Sequence, residues 1–84
     1  MVSSGFKTEM KRLGVRIKAI RKARGMTLLQ LQGATGIAKS TLSQYENGKF
    51  PNIEFYTMFL IAKALSVTTS ELTNYDGPIP PLKP

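Results

Sequence analysis

The 84-residue chain contains no cysteine, no histidine and no tryptophan. Without cysteine, disulfides and thiolate chemistry are excluded. Without histidine, the usual general base and the commonest metal ligand are gone. Acidic residues are scarce as well: five Asp and Glu stand against twelve Lys and Arg, a net charge of +7. Only Lys, Ser or Tyr chemistry remains, and nothing places a base beside a nucleophile. The sequence therefore predicts no enzyme, no catalytic residue, no metal site and no cofactor. Apolar runs are short, none approaching the ~20 residues of a membrane span. Met1 to Lys7 lacks the apolar core of a secretory signal. A soluble, intracellular protein is expected, and the cysteine-free composition suits a reducing cytoplasm.

What is present centres on Thr27 to Gly48, TLLQLQGATGIAKSTLSQYENG. Thr27 is placed to cap a short helix, its hydroxyl accepting from a backbone N–H that has no partner within the helix. Leu28, Leu31 and Ala34 recur at helical spacing, so one face can be buried. Gly36 is the residue best suited to a helix C-terminus at positive φ. Ile37 then packs between this helix and a second one over Lys39 to Asn47, which turns Leu42 and Tyr45 inward. Lys39, Ser40, Ser43, Gln44 and Asn47 are left for solvent or a ligand, and Gly48 ends the helix. Two short helices at this separation form a helix-turn-helix, whose second helix can enter the DNA major groove.

The flanking sequence completes a small all-α domain, near the lower size limit for an independent core. A first helix is predicted from about Thr8 to Ala23, with Met10, Leu13, Ile17 and Ile20 as its buried stripe. Gly14 inside it costs roughly 1 kcal/mol against alanine and permits close backbone approach, to another helix or to DNA. A fourth helix over about Glu54 to Leu65, with Asn52 as its cap, is rich in apolar residues: Phe55, Met58, Phe59, Ile61, Ala62 and Leu65. It reads as the central core helix, with aromatic surface to spare for a second subunit. Thr68 and Glu71 have the spacing of a capping box that opens a short fifth helix. Residues 1–7 read as a flexible arm and 8–73 as the domain. Residues 74–84, with four prolines, read as a tail that is disordered or polyproline-like.

Eight of the twelve basic residues lie between Lys7 and Arg24, opposed there by Glu9 alone. Such a run is often only a solvated helix face. Beside a helix-turn-helix it reads better as a patch that follows phosphates. A membrane-surface helix is disfavoured by the lack of a large aromatic face.

The segment RIKAIRKARGMTLLQLQGATGIAKSTLSQYENGK, continued by Ile61 to Leu65, Val67-Thr68 and Glu71-Leu72, resembles the phage repressor/Cro-type helix-turn-helix domain, the Xre family. The resemblance covers roughly Arg12 to Leu72. It rests on Arg-Gly-x-Thr, Gly-Ile, Ser-Thr-Leu-Ser and Tyr-Glu-Asn-Gly in their relative spacing. It implies a compact five-helix bundle of the lambda-repressor-like type with the helix-turn-helix at helices 2–3. It also implies a bacterial or phage-encoded, cytoplasmic and nucleoid-associated transcriptional regulator, a repressor that binds a palindromic operator as a homodimer.

By the same resemblance Lys39, Ser40 and Gln44 are the base readers, with Ser43 at the groove wall. Their chemistry fits: lysine donates to guanine, glutamine pairs with adenine, and serine is permissive. Phosphate contacts are expected from Arg12, Arg16, Thr27, the backbone near Leu28, Asn47 and Lys49. Asn47 is equally readable as a helix C-terminal residue. Arg21 read alone is one more phosphate-seeking cation; in the resembled family its counterpart pairs with the glutamate matching Glu46. Three positions depart from the family pattern. Leu28 stands where glutamine often reaches the backbone, Gln32 where a small alanine is common, and Ala38 where a hydroxyl often caps the recognition helix. The alternative function is a protein-interaction module of the same fold, such as an antitoxin or anti-regulator, with a protein partner.

Overall fold

The computed structural model describes residues 2–82, residues 2–4 and 6 by their backbone alone. Five helices follow one another: α1 (Val2–Ala23), α2 (Leu28–Thr35), α3 (Lys39–Glu46), α4 (Phe55–Ala64) and α5 (Thr69–Thr73). The architecture is the five-helix bundle expected from the sequence. Among the described residues, no helix is long and apolar enough to cross a membrane.

The caps show why the chain breaks where it does. Thr27 Oγ1 accepts from the Gln30 N–H at 3.0 Å while Gln30 Oε1 accepts from the Thr27 N–H at 2.8 Å. Thr68 and Glu71 form the same reciprocal box at the start of α5. Each box satisfies two donors that the helix itself leaves unpaired. Gly36 closes α2 at φ 78°, its N–H donating to the Gln32 carbonyl. α4 differs from expectation: Glu54, not Asn52, occupies its cap position, and no side chain caps it.

The core is aliphatic. Ile17, Ile20, Leu31, Leu42, Ile61, Leu65 and Leu72 are its fully enclosed members, each contributing about 1.5–3 kcal/mol by leaving water. Met10 and Leu13 complete the predicted stripe of α1. The aromatics of α4 lie outside this core: Phe55 is 70% exposed, Tyr56 67% and Phe59 44%. The face of α4 that carries Ile61 and Ala62 is buried instead, with Leu65 just after the helix.

Both ends of the domain depart from the sequence reading. The segment expected as a loose arm up to residue 7 is helical from Val2 onward; Met1 lies outside the described residues. No proline interrupts it, and extending a helix already held by packing adds one hydrogen bond per residue fixed, without a new nucleation cost. The tail expected to be disordered is held against α1 from Tyr75 to Pro78. Tyr75 packs against the core, and the Arg12 guanidinium lies 4.8 Å above its ring. A proline-rich segment has carbonyls that no helix satisfies, and such groups need donors when buried. Arg16 supplies them. Its Nη1 donates to the Gly77 carbonyl at 2.9 Å, its Nη2 to those of Glu71 at 2.9 Å and Pro78 at 3.1 Å, and its Nε to Glu71 at 3.2 Å.

Candidate nucleic-acid interface

α3 is fixed from beneath at three points. Leu42 is buried in the core. Glu46, at the end of the helix, is bound in bidentate fashion by Arg21, with Nε to Oε2 at 2.6 Å and Nη2 to Oε1 at 2.9 Å. Arg21 Nη1 also donates to the Met26 carbonyl at 2.8 Å, so one side chain ties α1, the α1–α2 turn and the end of α3 together. The hydrogen bonds that Arg21 donates to Glu46 raise the Arg21 pKa above its ordinary value, burial opposes this, and the Glu46 charge adds to the rise. Arg21 is thus engaged within the fold.

The third point is the approach of α1. A Cβ on Gly14 would meet the backbone carbonyls of Tyr45 and Glu46, the latter at 2.6 Å. Glycine at this position serves helix-on-helix contact. The question that the sequence left open, between a helix and DNA, is thereby answered.

With that face held, Lys39, Ser40 and Gln44 are exposed together on the other. Ser40 and Gln44 stand one turn apart, so they share a face. Ser43 is half-buried, and its hydroxyl accepts from Asn47 Nδ2 at 3.4 Å. Asn47 Nδ2 also donates to the Ser43 carbonyl at 2.9 Å, so Asn47 acts as a C-cap of α3. Lys49 is exposed just beyond, its N–H donating to the Gln44 carbonyl at 2.9 Å. Thr27 is exposed at the start of α2; its hydroxyl accepts within the capping box and keeps its own proton to donate.

Two residues expected at phosphates have partners within the fold. Arg16 is only 5% exposed, and its donors are engaged by the backbone carbonyls of Glu71, Gly77 and Pro78. Arg12 Nη2 is 2.9 Å from Asp76 Oδ2, and its guanidinium rests over Tyr75. The end of α5 and the tail occupy this pair. A tyrosine and an aspartate inside an otherwise proline-rich stretch, with two arginines elsewhere to receive it, were the signal available in the sequence.

Gln32 is more than a departure from the family pattern. Its Oε1 accepts from the Lys39 N–H at 2.8 Å. Ala38 at the cap position makes no side-chain bond of its own. The glutamine of α2 thus supplies an acceptor to the first N–H of α3, beside a cap position that offers none.

Residues 17–72 match the family described as helix-turn-helix. The chain belongs to that family, in its phage repressor/Cro (Xre) type, and DNA-binding transcription regulation is the function class this defines. Among solved structures it is similar to the restriction-modification controller protein C.AhdI from Aeromonas hydrophila. That similarity has a TM-score of 0.74 at 25% identity, covering 77% of this chain and 97% of that one. No curated protein matches the sequence.

Proposed function

We propose that this protein is a sequence-specific transcriptional repressor that binds a palindromic double-stranded operator as a homodimer through the major groove. The observation that carries the reading is the division of α3. Leu42 and Glu46 are locked into the fold, while Lys39, Ser40 and Gln44 are exposed together beside a helix start that Gln32 holds in place. Lysine suits guanine O6 and N7, glutamine suits adenine, and serine accepts either; Ser43 stands beside them at the groove wall. Thr27, the first backbone N–H groups of α2 and Lys49 set the register on phosphates, while the Asn47 amide stays on Ser43. One such helix reads few bases, so a dimer with two recognition helices one DNA turn apart supplies the specificity. The exposed Phe55, Tyr56 and Phe59 of α4 offer the apolar surface for that contact. Its place of action is the cytoplasm, on the nucleoid.

Fluorescence anisotropy of the protein on duplex from its own promoter region, against scrambled duplex, tests the reading. A preference for the promoter that shrinks by about 1–3 kcal/mol in Lys39→Ala or Gln44→Ala is expected. Equal, steeply salt-dependent binding to both duplexes would contradict base readout. Failure to bind either at low salt would favour the protein-interaction module.

A further inference from the structure

Lys7, Lys11 and Lys49 form a cationic cluster beyond the base-reading face. Lys7 and Lys11 lie one turn apart on α1, and Lys49 stands in the α3–α4 connection. All three are exposed. With Gly48, Phe50 and Pro51 they line a single groove of about 240 Å³. Gly48 allows the close approach that builds it: a Cβ there would lie 2.8 Å from Lys11 Cγ and 2.9 Å from Lys11 Cα. Among the described residues, ion pairs join Arg12 to Asp76 and Arg21 to Glu46, and none of the three lysines takes part in one. Lys7 and Lys11 also precede the residues that match the family.

We propose that Lys7 and Lys11, together with Lys49, clamp DNA phosphates at the C-terminal end of α3. The inference rests on the reading of α3 as the recognition helix. Gly14 lies against the Tyr45 and Glu46 carbonyls and Lys11 against Gly48, so toward its N-terminus α1 runs out past the end of α3. When the N-terminal residues of a recognition helix meet base edges, its other end faces the groove wall, where the phosphates are. Exposed ammonium groups there meet phosphate as point charges. The plainer role for the same lysines is to balance the negative end of the α3 dipole, and salt dependence separates the two.

The test is anisotropy of the full chain on a random-sequence duplex across a salt series, so that only phosphate contacts count. Lys7→Gln/Lys11→Gln keeps the aliphatic stem that packs on Gly48. Each lost phosphate contact removes about 0.9 from the slope of log K against log salt. The double variant is therefore expected to be shallower by about 1.8 per bound protomer. Arg12→Gln, which removes a charge from the tail-facing side of α1, is expected to keep the wild-type slope. A wild-type slope in the double variant, with duplex binding intact, overturns the clamp and leaves the recognition-helix reading standing. The same slope change per charge in Arg12→Gln overturns it too, since net charge alone would then suffice. An unchanged DNA slope with lost binding to anionic phospholipid vesicles would overturn it in favour of a membrane surface. Absence of wild-type binding to any duplex at low salt overturns both readings.

Discussion

Lys7 and Lys11 on one side of α1 and Arg12 and Arg16 on another are all long cationic side chains in one short run. Their surroundings make them different groups. The arginines face α5 and the returning tail, where Asp76, the Tyr75 ring and three backbone carbonyls take up their charge and their donors. The lysines face the end of α3, and among the described residues they form no ion pair. A guanidinium is planar, weakly hydrated and rich in donors, which suits it to buried carbonyls; an ammonium is strongly hydrated and stays at the surface. The division teaches that a basic run is not one patch: part of it holds the fold and part stays at the surface.

The division is broken most severely where an arginine is most enclosed. Arg21→Ala strands the Glu46 carboxylate and is expected to cost about 3–5 kcal/mol, a large fraction of the stability of a small domain. Arg21→Met combined with Glu46→Leu should recover most of that loss in urea unfolding, because no charge is left without a partner. Gly14→Ala comes next, at about 3 kcal/mol, because the new methyl meets backbone carbonyls that cannot rotate aside. Arg16→Met should cost about 2 kcal/mol through the lost charged hydrogen bonds, and removal of residues 74–84 should match it in the same unfolding assay.

A smaller effect belongs to Tyr75. Burial, then the neighbouring Glu9 carboxylate, raise its pKa above the ordinary value, with Arg12 opposing. The folded state holds the phenol proton more tightly than the unfolded one. That contribution is complete below about pH 10 and is lost as pH rises through the raised value. Tyr75→Phe should flatten the alkaline fall in stability measured by circular dichroism. The smallest change is expected on the lysine side: Lys7→Gln or Lys11→Gln should shift stability by less than about 0.5 kcal/mol. A larger loss would mean that the lysines, like the arginines, belong to the fold.

Much of the architecture was legible because it is written in short-range patterns. The stripe Met10, Leu13, Ile17 and Ile20, the Thr27 cap, Gly36 and the Thr68–Glu71 box each depend on residues three or four positions apart. The outward face of α3 was legible for the same reason: once Leu42 is inward, helical geometry turns Ser40 and Gln44 outward. The failures came where the partner is distant. Asn74 to Pro78 has no regular structure of its own and is held by Arg16, whose acceptors lie 55 to 62 residues away. The α4 aromatics could not be divided between core and surface, because composition records apolarity but not which side of a helix meets the bundle.

Short-range patterning was enough for a small, basic, cysteine- and histidine-free all-α domain, with a helix-turn-helix between Thr27 and Gly48 and a polar outward face on its second helix. Periodicity, caps and glycine stops are local, and local interactions are fixed by residues a few positions apart. Which cations stay exposed was settled by packing between distant segments. Whether an arginine is a phosphate ligand or a buried donor depends on what the fold brings against it. Likewise Gln32 became an acceptor for α3 only because the turn at Gly36 brings it to the Lys39 N–H.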